Sequence, residues 1–94
     1  MDENEMKEML HIKELLKRLQ ELQLSLYGNG KVAMTIDMST YRHGIDVTVW
    51  TKVDMCAVYD EKELKSFSLR VWDKPKHNEN ICEGIIRYVQ KHSA

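Results

Sequence analysis

The sequence predicts a two-layer α+β domain of order α-β-β-β-α, a three-stranded antiparallel meander with both helices packed on one face. Three observations carry this. Apolar residues recur at helical spacing near the start of the chain, alternate strictly with polar ones through its middle, and return to helical spacing near its end. The chain has 94 residues, enough for one hydrophobic core, so residues 1–94 are read as a single domain.

The first helix is expected over 4–27. Ile12, Leu15, Leu19, Leu22 and Leu26 recur at alternating steps of three and four with charged residues between them. Met9, Leu10, Leu16 and Leu22 widen the apolar stripe beyond a single seam, so one edge of the helix can reach the core while another offers a second surface. Gly28, Asn29 and Gly30 end it, because Gly and Asn tolerate the left-handed backbone of a C-terminal cap.

Strands are expected over 32–39, 45–56 and 64–72. Val32, Met34, Ile36 and Met38 form the inward row of the first, the odd positions from Ile45 to Met55 that of the second, and Phe67, Leu69 and Val71 that of the third. A one-residue slip would turn a whole row to water, so the parity of each row constrains the pairing. The first hairpin should set Ile36 opposite Val47 and Met34 opposite Val49. The second, centred on Glu61, should set Met55 opposite Phe67 and Val53 opposite Leu69. Pro75 is read as closing the sheet, and a second helix is expected over 80–92, with Asn80 and Glu83 as a capping box and Ile81, Ile85, Ile86 and Val89 on its apolar side.

Composition excludes more than it selects. With 43% apolar and 31% charged residues the chain is of the globular class, and its net charge of −1 gives no overall attraction for polyanions. No apolar run is long enough to span a membrane, and the acidic first residues do not make a signal peptide, so a cytoplasmic location without membrane attachment is expected. Cys56 and Cys82 are only two and form no CxxC, so neither a disulfide framework nor a structural zinc site is signalled.

The expected register places Ala33, Trp50 and Trp72 in one row of the open sheet face and Lys31, Lys52 and Arg70 in the next. This makes Trp50, Trp72, Lys31, Lys52 and Arg70 the candidate binding residues. Aromatic and Arg side chains dominate interface energetics and can also stack on bases; the competing reading is that they merely shield the sheet. Asp37 opposite Asp46 would be a repulsive pair, so either Arg42, a nearby lysine or a cation neutralises it or the strands diverge there. Cys82, near a helix N-terminus, is a nucleophile by position and a core residue by its spacing from Ile85, Ile86 and Val89; the core reading is preferred. The four histidines show no ligand spacing, and no catalytic or phosphate-binding motif is present, so no metal, cofactor or catalytic residue is expected.

The element order is similar to that of double-stranded RNA-binding domains. Their lysine cluster and Gly-Pro-x-His element have no match in residues 73–77 or 41–44, so no family residues are carried over. The expectation is a small noncatalytic interaction or oligomerisation module, partnered by a second copy or another protein. The alternative is a nucleic-acid-binding module using the basic and aromatic sheet face.

Overall fold

The computed structural model describes residues 3–39, 43–52 and 61–94. The elements are α1 (Glu3–Ser25), β1 (Val32–Ser39), β2 (Gly44–Lys52), β3 (Glu61–Arg70) and α2 (Pro75–Ser93). The strands form one antiparallel sheet in the order β1-β2-β3, and both helices pack on the same side of it. This is the predicted α+β architecture. Among the described residues no helix is long and apolar enough to cross a membrane.

The periodic residues of α1 do what their spacing predicts: Ile12, Leu15, Leu19 and Leu26 are buried, with Leu16 and Leu22 packed against them. Gly28 takes a positive φ of 85° just beyond the helix. Asn29 then organises the turn into β1, its side-chain oxygen accepting from the amides of Lys31 at 2.8 Å and Val32 at 3.1 Å.

The first hairpin has the expected register, with Ile36 opposite Val47, Met34 opposite Val49 and Ser39 opposite Gly44. Gly44 is required there, because a Cβ would run into the carbonyl oxygen of Leu69 on β3.

The second hairpin corrects the expectation. Phe67 lies opposite Val47 and Leu69 opposite Ile45, so β3 is displaced from the predicted partners Met55 and Val53 by eight positions along β2. Parity survives the displacement, which is why alternation could not detect it: any even shift keeps the same faces buried. The observed pairing gives β2 a neighbour on both sides along its length, whereas the predicted one would leave Ile45 and Val47 without a β3 partner. Glu61, Lys62 and Glu63, expected in the turn, instead begin β3, where an edge strand tolerates charge. A bulge between Val49 and Trp50 absorbs an extra β3 residue, and β3 ends at Arg70, before the predicted Val71 and Trp72. The portion of the predicted second strand beyond Lys52 falls outside the described residues.

The second helix begins five residues before the expected Asn80. Pro75 opens it, where its fixed φ suits the first turn and its missing N–H removes no bond, and Lys74 makes no side-chain cap. The polar run after Pro75 hides this start from an apolar-periodicity reading. Asn78 explains it: 1% exposed, it donates from Nδ2 to the carbonyl of Arg70 at 2.8 Å and ties the helix to the end of β3. Cys82, Ile85 and Val89 then complete the buried core with Val32, Met34, Ile45, Val47, Val49 and Leu69.

Phe67, Ile36 and Val71, expected in the core, are only partly buried at its margin. Leu69→Ala should therefore cost about 2–5 kcal/mol, and Phe67→Ala less than the roughly 3–5 kcal/mol of a fully enclosed phenylalanine. Urea unfolding of both variants checks this; a greater loss for Phe67→Ala would contradict the assignment.

Candidate interaction surface

The face of the sheet away from the helices is built from Thr35 and Asp37 of β1, Asp46, Thr48 and Trp50 of β2, and Ser66, Ser68 and Arg70 of β3. Its polar groups largely satisfy one another. The indole N–H of Trp50 donates to Thr35 Oγ1 at 3.0 Å, Thr48 and Ser66 share a hydroxyl bond at 3.3 Å, and Ser68 donates to Asp46 Oδ1 at 2.8 Å. Asp37 does lie opposite Asp46, and Arg70 supplies the compensating charge through an Nη2 to Asp46 Oδ1 ion pair of 2.8 Å. The other arm of the same guanidinium donates to the carbonyls of Ile45 and Leu69. Arg70 is a structural clamp on this face, its side chain 19% exposed.

The five candidate binding residues divide between the two ends of the sheet. Trp50 pairs with Ala33 and Glu63. Lys31 lies at the same end, immediately before Val32, and its Nζ reaches the carbonyl oxygen of Ala94 at 2.5 Å. Lys52 pairs with Glu61 through the backbone at this end. Arg70 pairs with Gly44 at the opposite end, and Trp72 follows it in the turn toward α2, 64% exposed and edge-on to His43 with ring centroids 6.1 Å apart. Gly44 and Trp50 are six residues apart on β2, about 20 Å at the usual strand rise. The predicted row of two tryptophans is therefore not assembled, a consequence of the β2–β3 displacement.

Of the second surface expected on α1, Leu16 and Leu22 belong to the core margin, while Met9 and Leu10 stand in solvent at 47% and 57% exposure. Met6, which the sequence reading omitted, joins them at 53%. Its spacing of three and four from Met9 and Leu10 was the available signal. No described side chain between Glu3 and Leu10 is buried; burial along α1 starts at Ile12. A second missed feature is the aromatic stack at the far edge of the core, where Phe67 meets Tyr88 edge-on, Tyr88 stacks on His92 at 4.3 Å, and the Lys65 ammonium lies 5.1 Å from the Phe67 centroid.

Among the described residues no group of three or more His, Cys, Asp or Glu is placed to hold a metal ion. Cys82 is fully buried, and burial pushes its thiol above the ordinary value, Glu83 adding to the shift and Arg18 opposing it. No family model, curated protein or solved structure matches the chain.

The raised Cys82 thiol favours the folded state below the ordinary thiol pKa, and that contribution is lost as pH rises through the raised value. In a Cys56→Ser background, an aromatic disulfide reagent at about pH 8 should label Cys82 only as the protein unfolds in urea. Rapid stoichiometric labelling of the native chain would contradict its place in the core.

Proposed function

We propose that the chain is a small noncatalytic interaction or oligomerisation module of the cytoplasm, with the N-terminal half of α1 as its docking surface. The observation that supports this is the solvent exposure of Met6, Met9 and Leu10 on a stretch of helix with no buried described side chain. Most helical stability in proteins comes from burying an apolar face. A partner laid against these residues supplies that burial.

A photo-crosslinking amino acid at position 10, in cells producing the chain, should give an adduct of discrete mass, and the same probe at exposed position 90 should not. Absence of an adduct at position 10 would remove the reading. Met6→Glu with Leu10→Glu should leave the unfolding free energy from urea titration within about 0.5 kcal/mol of the parent, as for surface sites, while abolishing the adduct.

The second reading is nucleic-acid binding, moved from the sheet face to the turn between β3 and α2. Exposed Trp72 is followed there by exposed Lys74, Lys76 and His77. Cationic groups beside an aromatic platform suit a single strand, whereas Asp37 and Asp46 make the open sheet face unsuitable. Retention on a single-stranded DNA matrix should then fall with salt and be lost in Lys74→Glu with Lys76→Glu. Retention unchanged in that variant would exclude this site.

A further inference from the structure

We infer that the docking partner of α1 is a second copy of this chain, paired antiparallel through the N-terminal half of the helix so that Met6 meets Leu10 and Glu3 meets Lys13 of the other copy. The inference rests on the interaction reading above and specifies its partner. It begins with a second periodicity. While Ile12, Leu15, Leu19 and Leu26 face the core, Glu3, Met6, Leu10, Lys13, Lys17, Gln20 and Leu24 recur at steps of three and four on the far side of the same helix, and all seven are exposed. Steps of three and four are the spacing of a helix–helix seam.

The charges along that seam select one arrangement. A parallel, in-register pair would set Glu3 on Glu3, Lys13 on Lys13 and Lys17 on Lys17. Antiparallel pairs can align the seam only in jumps of one heptad, which leaves four alignments with substantial overlap; the one nearest the end of α1 sets Lys13 against Leu24 and Lys17 against Gln20, bringing together neither two apolar residues nor opposite charges, and three remain. One sets Lys13 and Lys17 against each other twice, and another buries Met6 against Lys17 and Leu10 against Lys13. In the third, two-fold symmetry gives Met6 against Leu10 twice and Glu3 against Lys13 twice, with apolar side chains meeting at the centre and opposite charges at both ends. Met9 flanks the axis and meets its own copy. Lys7 flanks the other side, with Glu3 four residues before it on the same helix to offset the charge.

The geometry of the chain admits this pairing. The overlap runs from about Glu3 to Lys13, and the buried part of α1 begins at Ile12, so the two folded bodies extend away from the contact in opposite directions. The contact spans three helical turns, less than the roughly 1,200 Å² of a standard interface, so the dimer is weak and concentration-dependent.

Sedimentation equilibrium up to about 500 μM measures it. Wild type should show a monomer–dimer equilibrium, and Leu10→Glu should weaken it at least about tenfold with unchanged circular dichroism. Glu3→Lys and Lys13→Glu should each weaken it roughly three- to tenfold at low salt. The double variant, and an equimolar mixture of the two single variants, should recover association, since each again sets opposite charges together. A wild-type chain monomeric throughout would overturn self-pairing, and the docking reading would still stand if the position-10 adduct has the mass of another protein. Dimerisation that neither the double variant nor the mixture restores would overturn the antiparallel alignment alone.

Discussion

The structure depends on β2 burying one face with a strand on either side of it. Ile45, Val47 and Val49 are completely inaccessible, lying between β1 and β3 and beneath the helical layer. Each of these residues removes a branched side chain from water at a few kcal/mol apiece. Hairpin parity, helix placement and the tight approach at Gly44 all follow. With Leu69 carbonyl so close to Gly44, β3 cannot drift from β2 at this end, and Arg70 locks the same corner by spanning Ile45, Leu69 and Asp46.

The helices are fastened to the sheet by polar contacts at its ends as well as by the apolar core between. Gln23 donates to the Met34 carbonyl at 3.0 Å on the edge strand, Asn29 reaches the Ser93 carbonyl at the end of α2 at 3.4 Å, and Asn78 holds the start of α2 to Arg70. A buried amide that loses its partner costs more than the bond contributes, so these contacts define where each helix begins and ends against the strands.

Much of this was legible in the sequence, and the failures share one cause. Alternation and helical spacing report which side of an element is buried, so they yielded the element order, the first-hairpin register and the core stripes of both helices. They are blind to translation by an even number of residues, and Phe67 against Val47 satisfies them as well as Phe67 against Met55. The candidate site inherited that ambiguity: Trp50 and Trp72 are neighbours only in the expected register, not in the observed one. Polar determinants were illegible for a related reason. Nothing in the run Lys76, His77, Asn78, Glu79, Asn80 shows that Asn78 alone is enclosed, because its partner is a backbone carbonyl eight residues away. The exposed part of α1 was half legible: the breadth of the stripe was visible, but not which of its members the core would claim.

That division between claimed and unclaimed apolar residues bears on what the molecule can do. The open sheet face, the usual candidate surface in a two-layer domain, is occupied with its own hydrogen bonds. A ligand binding there would have to displace the Asp46–Arg70 pair and the Trp50–Thr35 bond before gaining anything. The first turns of α1 carry no such cost. Met6, Met9 and Leu10 are already arranged on a helix, and covering them recovers hydrophobic free energy while stabilising the turns that carry them. Association at the sheet would compete with the fold; association at the helix adds to it.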